Sequence, residues 1–264
     1  MELSDTPQRR RLADLTSSEI ANLPKDEVVV VLPVGAFEQH GSHLPCGTDA
    51  LLVNAIFEAA LTHLPGDAPV LSLPALAYGT SSEHLGFPGT ISVSPATLLA
   101  AIREVGMSLA RSGFCKLVCL NGHGGQVQLL EVAARDLRVE AGLLVFPVFP
   151  YRAGLPHGLT LPDGGPPDIH GGWIETSLML AVAPELVHLE RAGRDGDRAT
   201  DAFRSSERLS LEGAFPTAWV TADISQTGVV GDPTGASVEA GAQILDHLGK
   251  ELALVLTDIC RFGF

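Results

Sequence analysis

The chain has 264 residues, 45% of them apolar, which is ample for a buried core in one large domain or two small ones. Its formal net charge of −14, with only three lysines, argues against nucleic acid as a partner, because phosphate binding needs clustered Lys and Arg. No apolar run reaches the roughly 18 residues that cross a membrane. The opening Met1–Asp5 has no signal-peptide core, and Cys46, Cys115, Cys119 and Cys260 form no Cys-x-x-Cys pair, so the expected location is the reducing cytoplasm. A mean hydropathy of +0.24 on so acidic a chain points to apolar faces covered by further copies, hence a homo-oligomer.

Residues 1–25 read as a polar N-terminal tail, with Arg9-Arg10-Arg11 solvated. Val28–Leu32 then reads as a buried strand, and Ala50–Leu61 as a helix. Between them lies Glu38-Gln39-His40-Gly41-Ser42-His43-Leu44-Pro45-Cys46-Gly47-Thr48-Asp49. If the chain stays extended, Glu38 and His40 point the same way with Gln39 turned aside. Asp49 enters from the first turn of the helix, with Thr48 as its cap. Carboxylate and imidazole converging on one point suit zinc, manganese or ferrous iron.

A second strand covers Val70–Leu73. The loop that follows holds Ser82, Glu83 and His84, which either line a substrate pocket or only connect to the helix Pro95–Ser112. That helix is well punctuated, with Ser94 as cap, proline at its first position and Gly113 beyond its end. The strand Leu117–Leu120 follows, with Cys115 and Cys119 as small buried hydrophobes. Asn121-Gly122-His123-Gly124-Gly125-Gln126 comes next and has two readings: a phosphate cradle of backbone amides, or a metal-ligating His123 held close by glycines. The motif lacks the Lys of a P-loop, which favours the metal. A helix over Val127–Glu140 and a strand over Leu143–Phe149 complete this half.

Asp168-Ile169-His170-Gly171-Gly172 precedes the helix Trp173–Val182, whose first turns carry Glu175. His170 and Glu175 flank glycines, an arrangement suited to proton traffic, although capping would also account for Glu175. The polar stretch 188–212 holds five of the fourteen arginines and reads as a surface excursion. A strand over Ala218–Thr221, a Gly-rich turn over 227–236 and the helix Val238–Ile259 finish the chain. Continuous apolar strands alternating with helices predict one α/β domain, a three-layer α/β/α sandwich around a mainly parallel sheet. Ligands in such sheets bind beyond the carboxyl ends of the strands, where the Glu38–Asp49 and Asn121–Gln126 segments lie.

Together the motifs resemble the creatininase (creatinine amidohydrolase) family. They are Gly35–Pro45 with Thr48-Asp49, Phe87-Pro88-Gly89-Thr90, Asn121–Gly125, His170-Gly171-Gly172 with Glu175-Thr176-Ser177, and Gly231-Asp232-Pro233. The resemblance implies a two-metal hydrolytic centre with two divalent ions (Zn2+, Mn2+ or Fe2+) per subunit of a homohexamer. Carried over by position, Glu38 and His123 bind one ion, His40 the other, and Asp49 bridges both. Creatininase itself has a ligating glutamate two residues after the histidine equivalent to His123, where this chain has Gly125. Glu175 is then the expected replacement ligand, with proton transfer as its alternative role. His170 is expected to donate a proton to the departing nitrogen. Ser82, Glu83, His84, Gly124 and Asp168 are expected on the substrate side. The implied reaction is hydrolysis of a C–N amide bond in a small molecule or short peptide other than creatinine. The Asn-Gly-His-Gly-Gly form resembles the family members that trim a mycofactocin precursor or deformylate a formamidopyrimidine more than creatininase itself. A non-catalytic binding protein for a phosphorylated ligand is the rival reading.

Overall fold

A computed structural model describes residues 10–162 and 164–264; Arg9 lies outside the described residues. Its centre is a four-stranded sheet of β1 (Val29–Val34), β2 (Val70–Ser72), β3 (Lys116–Asn121) and β4 (Leu144–Val148), in the order β2-β1-β3-β4. All three pairings are parallel, with Val31 opposite Ser72 on one side and Val118 on the other. Strand alternation sends Val29 and Val31 to one face, and Val30, Leu32 and Val34 to the other.

Helices α2 (Thr48–His63), α5 (Trp173–Val182) and α8 (Val238–Arg261) cover the first face; α3 (Pro95–Arg111) and α4 (Val127–Ala141) cover the second. A 3-10 turn at Leu12–Asp14 and the short helix α1 (Ser17–Ala21) precede β1. The result is the expected three-layer sandwich. Glycines let the first layer pack closely: a Cβ at Gly241 of α8 would strike the Ser177 carbonyl of α5, and one at Gly249 would press on Ala59 of α2.

The chain leaves β1 for β2 on one side and places β3 on the other, so a crevice opens at the carboxyl ends of β1 and β3. Helices α6 (Asp197–Phe203) and α7 (Thr221–Ile224) lie in the excursion and the segment after it, around a small core of Ala199, Leu211, Ile224 and Val230.

Several expectations need correction. Ala218–Thr221 is not a strand: Ala218 and Val220 are exposed, and the Asp223 carboxylate accepts from Val220 N–H (3.0 Å), which starts α7 instead. Thr48 is the first helical residue and not the cap; that position belongs to Gly47, while the Thr48 hydroxyl donates to Pro45 O (2.7 Å). Cys115 is exposed, one residue ahead of β3, whereas Cys119 is buried. Arg10 is not free in solvent: its guanidinium donates to the carbonyls of Pro65, Gly66 and Ala68, tying down the turn after α2.

Candidate metal centre

β1 delivers Glu38 and His40 into the crevice. Gly35 makes this possible, since a Cβ there would lie 2.7 Å from Ala50 Cα in the first turn of α2. Glu38 N–H donates to Cys46 O (3.0 Å), which closes the segment and brings Asp49 back towards the site. His123 follows β3, its loop held by Asn121 and Gln126. The Asn121 side chain accepts from His123 N–H (3.1 Å) and donates to His123 O (2.7 Å); Gln126 bonds Asn121, Gly35 O and Thr80 N–H. His170 and Glu175 arrive from the start of α5, where Glu175 Oε2 accepts from Gly171 N–H (2.7 Å).

Three imidazoles share one design. A carbonyl oxygen can only accept, so the ring nitrogen facing it carries the proton. His40 Nδ1 faces Glu38 O (3.0 Å), His123 Nε2 faces Thr80 O (3.1 Å), and His170 Nε2 faces Gln39 O. The remaining nitrogens all turn on carboxylates. His40 Nε2 is 3.2 Å from Asp49 Oδ1 and 3.8 Å from Glu175 Oε2. His123 Nδ1 is 3.1 Å from Glu38 Oε1 and 3.4 Å from Asp49 Oδ2, while His170 Nδ1 is 3.6 Å from Glu38 Oε1. Acceptor therefore faces acceptor unless a proton or a metal cation lies between them.

Both Glu38 oxygens, His40 Nε2 and Asp49 Oδ2 are buried without a hydrogen-bond partner, a state that is costly unless something else satisfies them. Ligands about 2.0–2.1 Å from a tetrahedral ion stand about 3.3 Å apart, which matches the shorter of these separations. The donor set fits divalent metal. The carbonyl partners on the far ring nitrogens are what orients metal-binding histidines.

Electrostatics agree. Burial opposes the charge of Glu38, yet His123, His170 and His40 hold its carboxyl well below the usual range. Burial and Glu38 push Asp49 up to about 7. Burial likewise disfavours the His40 cation, but Asp49, Glu175 and Glu38 together raise it to about 10. Burial keeps His170 well below the ordinary histidine value, with His40 and His84 adding to the effect. The three rings lie in a row, His170 between His40 (4.2 Å between centroids) and His84 (4.0 Å).

The structure thus brings Glu38, His40, Asp49, His123, His170 and Glu175 together. Glu83 joins them, 3.1 Å from His123 Nε2 through Oε1. Ser82 and Glu83 line an adjoining cavity of about 680 Å3; Gly124, Asp168, His170 and Glu175 line a smaller one of about 270 Å3, and both cavities share Phe149 and Glu212. Asp168 faces that space, but its oxygens are engaged by Trp173 N–H (2.6 Å) and Ile174 N–H (3.0 Å), so it starts α5. His84 is locked from behind. Gly41 N–H fixes the Gln39 oxygen (2.8 Å), so the Gln39 amide nitrogen donates to His84 Nδ1 (2.9 Å) and Gly228 O (2.9 Å). Thr221 adds a second contact to His84 Nδ1 (2.8 Å), which leaves His84 Nε2 as an N–H donor 3.7 Å from Glu38 Oε1.

The phosphate reading of the His123 loop fails on charge, because Glu38, Asp49 and Glu83 face the same ring. The sequence alone assigns no role to Gln126, Thr80, Thr221 or the Tyr151 hydroxyl, which is buried without a partner in a residue that lines the smaller cavity.

The profile of the Creatininase family, described as creatinine amidohydrolase, matches residues 13–256. The chain belongs to the creatininase family. It is 33% identical to a mycofactocin precursor peptide peptidase of Mycobacterium ulcerans over 253 residues, covering 90% of this chain and 88% of the relative. It is 35% identical to a creatinine amidohydrolase of Pseudomonas putida over 198 residues, covering 68% and 74%. A solved creatininase–Mn structure superposes with a TM-score of 0.74 at 29% identity, covering 95% of this chain and 98% of that one. Family membership and the clustered residues able to hold a metal make the chain a metal-dependent amidohydrolase.

Proposed function

We propose that the enzyme hydrolyses an amide bond in a peptide, in the manner of a precursor-trimming peptidase, using two divalent ions. The observation that carries the substrate class is a pair of neighbouring cavities: the one at the clustered carboxylates and the larger one lined by the 211–220 segment share Phe149 and Glu212 as walls. Two adjoining cavities suit an extended chain better than a single small ring. The similarity to mycofactocin precursor peptidases over most of both chains supports the same reading.

Glu38, His123 and one Asp49 oxygen would hold one ion; His40, Glu175 and the other Asp49 oxygen would hold the second. Glu175 thereby supplies the carboxylate that Gly125 does not. Such an ion pair supplies Lewis acidity, making water nucleophilic near neutral pH and polarising the scissile carbonyl. The residues of the chain do the rest. Tyr151 offers its hydroxyl to the substrate beside Glu175. His170, anchored by Gln39 O, presents Nδ1 to the reacting side, where it takes up the proton of the attacking water and returns it to the departing nitrogen. His84 presents Nε2–H from the opposite flank.

The test is turnover by Mn2+-loaded enzyme on short peptides, with formamides and creatinine alongside. Peptide cleavage at a defined bond is expected. Turnover of creatinine or a formamide with no peptide cleavage overturns the peptide reading.

A further inference from the structure

Glu83 and Gly125 belong to different loops, 42 positions apart in the sequence, yet they occupy one volume. A Cβ on Gly125 would collide with the Glu83 carboxylate and come within 2.6 Å of His123 Nε2. Gly125 is not among the glycines with positive φ, so space and not backbone conformation excludes a side chain there. Glu83 Oε1 in turn lies 3.1 Å from His123 Nε2, the nitrogen that faces away from the metal cluster. Burial works against the Glu83 charge, and the contact with His123 is what holds its carboxyl below the usual range.

We propose that Glu83 is the positioning carboxylate of the His123 ligand, and that residue 125 is glycine in order to leave room for it. This rests on the metal-dependent reading given above. Thr80 O accepts from the same ring nitrogen at the same distance and fixes which nitrogen is protonated. The carbonyl is neutral, however. A carboxylate in addition draws the Nε2 proton towards itself and makes Nδ1 a stronger donor to a cation, the arrangement known to raise metal affinity. Glu83 also lines the larger cavity, so the same residue that stiffens His123 borders the substrate path.

The experiment titrates metal-free protein with Mn2+ alone, following bound metal by equilibrium dialysis with elemental analysis. Circular dichroism confirms the fold of each variant. Glu83→Ala should weaken the His123-bound ion about 10–100-fold. Glu83→Gln, which keeps an accepting oxygen but no charge, should recover part of that loss. Gly125→Ala should reproduce the Glu83→Ala defect although Glu83 is still present. The double variant should be no worse than Gly125→Ala alone, because the Glu83 contact is already lost there. A Mn2+ Kd for Glu83→Ala within twofold of wild type, or additive losses in the double variant, overturns the proposal and leaves the metal reading standing. Failure of wild type itself to bind Mn2+ overturns both. Should Glu83→Ala not fold, the isosteric Glu83→Gln and the distinct Gly125→Ala decide the matter on the same terms.

Discussion

Asp49 presents one oxygen to His40 (3.2 Å) and the other to His123 (3.4 Å), which places it to serve both ions of the proposed pair. Asp49→Ala should therefore bring metal content close to zero, where loss of a residue serving one ion would halve it; equal metal in variant and wild type by elemental analysis would refute the bridging role. Without an ion His40 holds its proton up to about 10. Binding at its Nε2 near pH 7 must then expel a proton, so Mn2+ affinity should rise with pH and titration heats should vary with buffer ionisation enthalpy. His170→Ala should keep its metal while turnover falls about 10²–10⁴-fold; parallel loss of metal would instead make His170 a ligand. Glu38, His40 and Asp49 were legible because all lie within one strand-to-helix step, where alternation tells which side chains point together. Gln39 was not. Alternation turns it aside, but what it meets there is Gly228, 189 residues on, and no local pattern announces so distant a partner.

Helix positions were readable to within two residues wherever the ends carry chemistry of their own. The Ser94 hydroxyl accepts from Thr97 N–H (3.2 Å) ahead of Pro95, and Ser237 does the same for Ala240 N–H (3.1 Å). The segment Ala218–Thr221 has strand-forming residues but no neighbour to pair with, and that absence belongs to the tertiary structure. Between helices, Gly241 against the Ser177 carbonyl sets how closely α8 approaches α5. Gly241→Ala should cost about 1–3 kcal/mol by overpacking, seen as a lower urea midpoint. The excursion is fastened by Asp195, which accepts from Ser225 Oγ (3.0 Å), Gln226 N–H (2.8 Å), Thr227 N–H (2.8 Å) and Thr227 Oγ1 (2.9 Å). Burial opposes its charge, but those donors lower its carboxyl to about 2. A depressed folded value gives stability that is present above the unfolded value near 3.9 and disappears as pH falls towards 2. Asp195→Asn should therefore lose about 1–2 kcal/mol at pH 7, discounted for solvent screening, and show a smaller stability drop between pH 5 and 2 than wild type. Equal slopes in urea unfolding across that range would refute the assignment.

At the scale of the whole molecule, β4 is an edge strand, and the exposed Val255 and Phe262 near the end of α8 lie beside it. An open strand edge with adjacent apolar side chains is normally covered. A homo-oligomer, expected as a hexamer, should appear in light scattering as a mass several times 27.7 kDa; a monomer at micromolar concentration would refute it. Among the described residues no helix is long and apolar enough to cross a membrane, as the sequence leads one to expect. The wall formed by residues 211–220 has a different consequence. It borders the larger cavity, yet contributes none of the side chains clustered around the carboxylates. On either side it is moored by contacts that do not involve it, Asp195 to the 225–227 turn and His170 to Val230. Under the peptidase proposal, the exposed residues 213–218 of that wall are free to change, and with them what the enzyme accepts, whereas Leu211, packed in the small core, and Glu83, which meets both the path and His123, are not.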